Sequence, residues 1–151
     1  MKLSPHCSLP LTLGGTTDQV ASQCYEHEII DNDFVTEIEG FIDIENIEPG
    51  DEGRKIICRV ENGRCVTVTM AYLDLPITDT FLGLGLNYGP NAKAQFLAGL
   101  RHQGVEVIAQ SEYIILPNDF VTIELGESIT WWDRAYWGTD GFRNEAIALQ
   151  P

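Results

Sequence analysis

The sequence predicts a mainly β fold, a β-sandwich or partly open barrel of six to eight strands, with one α-helix near residues 91–103. Three observations predict it. From Phe34 the chain alternates strictly, with Phe34, Thr36, Ile38, Ile42 and Ile44 on one side and Glu37, Glu39, Asp43 and Glu45 on the other. That period of two is the mark of a half-buried strand. Next, Asn62-Gly63 sits between two β-branched runs, Lys55–Val60 and Cys65–Met70. Asn-Gly is a strong hairpin signal, because both central residues of a type I′ turn need positive φ. Last, short apolar runs separated by Gly and Pro fill the C-terminal half, a spacing typical of antiparallel sheets.

The elements follow in order. Residues 1–25 are turn-rich (Pro5, Pro10, Gly14-Gly15) and read as an extended N-terminal arm ahead of a single β-rich domain over 26–151. The long alternating strand bends at Gly40 and stops at the turn cluster Glu48–Gly53. In the hairpin, a two-residue loop places Val60 opposite Cys65 and Cys58 opposite Thr67, so the two cysteines meet only diagonally, too far for a cross-strand disulfide. Residues 74–90 form a long connection with one short strand near Phe81–Leu86. Asn91–Gln103 is rich in helix formers, carries Phe96, Leu97 and Leu100, and is closed by Gly104. Val105–Leu116, Phe120–Leu125, Ser128–Trp132 and Glu145–Leu149 read as strands. The pentapeptide Asn32–Thr36 recurs as Asn118–Thr122, which predicts two equivalent loop-to-strand lead-ins.

Composition narrows the function classes. With 151 residues the chain has enough length for a sizeable core, and 44 % hydrophobic content argues against wholesale disorder. The formal net charge of −14 opposes phosphate backbones and anionic lipid, so neither nucleic acid nor membrane is an expected partner. Cys7, Cys24, Cys58 and Cys65 are too few for a disulfide scaffold, and Pro5 and Pro10 interrupt any signal-peptide core, so cytoplasmic synthesis with free thiols is expected. His6-Cys7 with Cys24-x-x-His27 lacks the paired spacing that zinc prefers. Asp31-Asn32-Asp33 lacks the glycine and distal glutamate of a calcium loop, and Gly83–Gly89 lacks the lysine of a phosphate loop. No Gly-x-Ser-x-Gly occurs. No catalytic residue, cofactor or metal is therefore expected.

Two constellations remain. No Lys or Arg lies between Leu3 and Gly53, a stretch that holds twelve carboxylates; Arg54, Lys55, Arg59 and Arg64 then follow together. Such segregation predicts a docking surface in which the strip Glu37, Glu39, Asp43 and Glu45 meets the basic hairpin of a neighbouring subunit. Trp131, Trp132, Tyr136 and Trp137, with Phe142 after them, gather aromatic rings that can anchor a protein partner or stack on sugar. Trp131 and Trp132 point to opposite sides of a strand, so one should leave the core face. The resulting expectation is a non-enzymatic structural protein that binds other subunits of a larger assembly, itself a homo-oligomer. Its most concrete form is a virion accessory such as a tailed-phage capsid decoration (cement) protein. The rival is a carbohydrate-binding module using Trp131–Trp137, and the third reading is an acidic DNA-mimic inhibitor or a small hydrolase.

Overall fold

The computed structural model describes residues 1–31, 35–43, 54–72 and 77–148. The fold is mainly β, of the β-sandwich or open-barrel kind. In chain order the elements are β1 (Lys2–Leu3), α1 (Thr17–Ser22), β2 (Tyr25–Asp31), β3 (Thr36–Ile42), β4 (Arg54–Glu61), β5 (Arg64–Ala71), β6 (Thr80–Phe81), β7 (Leu84–Gly85), α2 (Ala92–His102), β8 (Ile108–Gln110), β9 (Tyr113–Leu116), β10 (Val121–Glu124), β11 (Ser128–Trp132) and α3 (Arg134–Ala148). An eight-stranded sheet runs β2-β3-β4-β5-β11-β10-β9-β8, every neighbouring pair antiparallel, and a three-stranded sheet runs β1-β6-β7. Among the described residues no helix is long and apolar enough to cross a membrane.

The alternation seen in the sequence is the burial pattern of the sheet. In β3, Ile38, Gly40 and Ile42 are buried while Glu37, Glu39 and Phe41 lie half-buried on the opposite face. The β4–β5 hairpin turns at Asn62 (φ 52°) and Gly63 (φ 72°), as a type I′ turn requires. Val60 pairs with Cys65 as expected, but a bulge between Arg59 and Val60 moves Cys58 opposite Val68 instead of Thr67. All four cysteines are free thiols. The expected run 105–116 is two strands, β8 and β9, reversing at Ser111 (φ 49°).

The main core lies on one face of the large sheet. It joins Ile38, Ile56, Val68, Met70, Ile123 and Trp131 to Leu3 and Phe81 of the small sheet, Leu86 just after it, and Phe96 and Leu100 of α2. Residues 1–25, read from the sequence as an arm, are folded against this same core: Leu3, Leu9, Leu11 and Val20 are buried in it. The segment is fastened by main-chain bonds Gly14 N–H to Cys65 O (2.8 Å) and Cys65 N–H to Gly15 O (2.8 Å), and by Trp131 Nε1–H to Ser4 O (2.9 Å). Thr16 caps α1 by accepting from Gln19 N–H, the first half of a Thr-x-x-Gln capping box.

A second, smaller core lies on the other face of the sheet, at its β8–β11 end. Ile115, Phe120 and Trp132 pack there against Phe142 and Ala146 of α3. The expected strand from Glu145 is therefore helix as far as Ala148, Leu149 lying outside the described residues. Its apolar residues sit four apart, Phe142 to Ala146, and dock on a sheet face that would otherwise leave Trp132 in water. Gly138 (φ 63°, ψ 169°) breaks α3 into two helical pieces, a conformation that glycine adopts without the Cβ penalty.

Candidate functional site

The aromatic constellation resolves into interior and surface parts. Trp131, Trp132 and Phe142 are 1 %, 5 % and 0 % exposed. The two tryptophans do point to opposite sheet faces, and each face has its own core to receive one. Phe120 stacks on Phe142 with centroids 4.8 Å apart, and Trp132 meets Phe142 edge-on at 5.2 Å. These three side chains hold the chain's own layers together and offer no surface to a partner. Tyr136 is exposed and Trp137 half-buried, at 86° to one another. Two rings at right angles form no coplanar platform for a sugar. Tyr136 donates its hydroxyl to Glu61, Trp137 Nε1–H bonds Val66 O at 2.9 Å, and Arg59 lies over the Trp137 ring at 5.5 Å.

The segregated charges meet inside the chain. The β3–β4 register sets Glu37 against Arg59 and Phe41 against Lys55. Lys55 Nζ lies 4.0 Å from Glu39, Arg59 bonds Glu61 at 2.5 Å, Arg64 bonds Asp133 at 2.6 Å and Arg54 lies 3.4 Å from Asp79. The basic hairpin expected to face a neighbouring subunit is thus taken up by carboxylates of the same chain. Asp43 is exposed, and Glu45 lies outside the described residues, as do Asn32–Phe34 of the first pentapeptide copy. In the second copy Phe120 (φ 56°) turns into β10.

Among the carboxylates that the basic hairpin leaves unbalanced are those of β2. This strand is one of the two outermost strands of the large sheet and, among the described residues, pairs only with β3. All seven of its residues are exposed, among them Tyr25 at 40 %, Ile29 at 46 % and Ile30 at 38 %. Among the described residues Glu26 and Glu28 make no ion pair, and Glu28 sits directly opposite Glu39. A bulge with Glu26 at φ 50° twists only the start of the strand. The signal was present in Glu28-Ile29-Ile30-Asp31, but an edge position is a property of the sheet and not of the segment.

A second feature missed from sequence is a cleft of about 410 Å³ beside β9 and β10, lined by Tyr88, Lys93, Glu112, Ile114, Glu124 and Glu127. Burial pushes Glu124 up to about 7, and its neighbours Glu127 and Glu112 add to the effect. Burial also raises the Tyr113 hydroxyl. Lys93 turns its ammonium to the Ser111 carbonyl. Another opening, about 660 Å³, lies where residues 5–13 cross β11, and its lining includes His6, Cys7, Asp119 and Arg134. Burial holds the Cys7 thiol up at about 11, which favours its protonated form near neutral pH. The hydrogen bond with Cys65, and then burial, raise Cys58 further. Among the described residues no group of His, Cys, Asp and Glu is arranged to hold a metal ion.

No family model matches the chain, and neither the curated proteins nor the solved structures contain a match to it.

Proposed function

We propose that this protein is a non-enzymatic assembly component that binds other protein subunits, in its most concrete form a decoration protein on the head of a tailed phage. The observation that carries the reading is β2, a seven-residue sheet edge exposed along its whole length. Natural sheets usually shorten such edges, or protect them with charged side chains, Pro or bulges; β2 carries carboxylates and a bulge at its start, yet leaves Ile29 and Ile30 exposed on its regular part. β8, at the opposite edge, has only three residues, whereas β2 is long, apolar in part and regular from Glu28 to Asp31. A strand kept open in this way suits a protein that attaches to others.

Two features support the reading less directly. Leu3, Leu9, Leu11 and Val20 of the first 25 residues, and Trp131, Trp132 and Phe142 of the aromatic cluster, serve the chain's own core, which leaves the outer strands as the surface for contact. The net charge of −14 keeps a dense array of copies soluble before assembly.

The reading is tested with heads of the virus that encodes this chain, stripped of accessory proteins. Saturable co-sedimentation of the protein with the heads, at a fixed stoichiometry, is the expected result. Protein that stays in the supernatant at every concentration, at both low and high salt, overturns it.

A further inference from the structure

We propose that β2 receives, as a ninth strand of the large sheet, an extended segment of a partner protein with basic residues opposite Glu28 and Asp31 and apolar residues opposite Ile29 and Ile30. The inference rests on the assembly reading and specifies the chemistry of its contact.

The backbone supplies the first argument. An edge strand directs alternate N–H and C=O groups away from its one neighbour, and the regular stretch Glu28–Asp31 offers a run of them to an incoming strand. Both faces of β2 are open, so an added strand meets no obstruction among the described residues.

The side chains set the pattern. Glu28 lies opposite Glu39 and Ile30 opposite Glu37, which places Glu28 and Ile30 on the outer face of the sheet. Ile29 lies opposite Ile38, on the core-side face with Asp31. Residues directly across an antiparallel pair share a face. A partner strand therefore needs one apolar residue on each face, and a cation beside each carboxylate.

Charge selects the occupant. Arg54, Lys55, Arg59 and Arg64 are engaged with Asp79, Glu39, Glu61 and Asp133, and no Lys or Arg of the chain pairs with Glu26 or Glu28. A second copy of β2 would bring Glu26, Glu28 and Asp31 of each chain into one ribbon with no Lys or Arg in either strand, and like charges across a ladder repel. A basic strand turns the same carboxylates into favourable cross-strand pairs.

The test uses the full chain and a fluorescent nine-residue peptide built on a lysine-valine-valine-lysine core. Because any cationic peptide is attracted to a protein of charge −14, the control is the same peptide N-methylated on alternate backbone amides, with equal charge but no ladder donors. By anisotropy, the N-methylated peptide should bind at least about tenfold more weakly, and Glu28→Lys should weaken the parent peptide by about tenfold. Equal binding of the two peptides, or an unchanged affinity in Glu28→Lys, overturns the proposal, as does a dimer in solution that Ile29→Lys dissolves. Co-sedimentation with heads separates the two failures. Head binding that survives Glu28→Lys overturns the strand proposal and leaves the assembly reading standing. Peptide binding without head binding supports the strand proposal and sinks the phage reading.

Discussion

Truncating Phe142 to alanine decides whether the C-terminal aromatic segment belongs to the core. The ring is fully buried, stacked on Phe120 at 4.8 Å and edge-on to Trp132 at 5.2 Å. A buried aromatic side chain removes about 150–250 Å² from water, worth about 4–6 kcal/mol at 25 cal/mol per Å². Part of that is retained by the alanine methyl, and the walls relax only in part, so the expected loss is about 3–5 kcal/mol. For a chain of this length each kcal/mol moves the midpoint by about 2–4 °C, giving a fall of roughly 6–20 °C. Thermal melts and urea titrations followed by circular dichroism measure it, with Tyr136→Ala as the exposed comparison, expected to cost less than about 1 kcal/mol. Equal, small effects for the two variants would refute the placement of α3 on the sheet.

Glu124→Gln tests the carboxylate cleft. Glu124 titrates near 7 in the folded protein against 4.5 for a free glutamate, so folding favours its protonated form. That contribution is fully present below about pH 4.5 and is lost as the pH rises through 7. The variant should therefore match wild type in urea titrations at pH 4.5 and exceed it by about 1–2 kcal/mol at pH 8, after allowance for solvent screening. Arg64→Met strips the guanidinium from Asp133, whose side chain is only 11 % exposed, and should cost about 1.5–3 kcal/mol. Adding Asp133→Asn should recover part of this in a double-mutant cycle; strict additivity counts against a coupled pair. Gly40→Ala would bring a methyl to 2.9 Å from Cys24 Sγ and 3.2 Å from the Tyr25 carbonyl. Overpacking of about 1–3 kcal/mol should follow, and an unchanged midpoint would contradict that close approach.

The strands that carry their own signal were legible in the sequence. β3 and the β4–β5 hairpin are written in period-two alternation and Asn-Gly, and α2 in a run of helix formers closed by glycine. What local pattern does not record is which element covers which face. Trp131 and Trp132 looked like surface anchors because one of two adjacent strand residues must leave a single core; a second core under α3 removes that necessity. The segment from Glu145 reads as a strand in sequence because its short apolar run fits either period, and only the Phe142–Ala146 spacing against Trp132 settles it as helix. The acidic strip and basic hairpin look like halves of an intermolecular contact when read along the chain, yet β3 and β4 are neighbours in the sheet. The exposed edge at β2 follows from strand order, which no window of residues reports.

The strand order has a consequence for how the chain is made. The large sheet consists of two four-strand meanders, β2 to β5 and β8 to β11, joined where β5 pairs with β11, Ala71 lying against Ser128. Each meander closes through neighbours in the chain, so each can form early and quickly; their union is the long-range step. During synthesis the first meander emerges with β5 as a second open side besides β2, a strand that carries Val66, Val68 and Met70. Until β11 arrives, that apolar strand is the exposed surface most prone to wrong pairings, and β11 is its permanent cover.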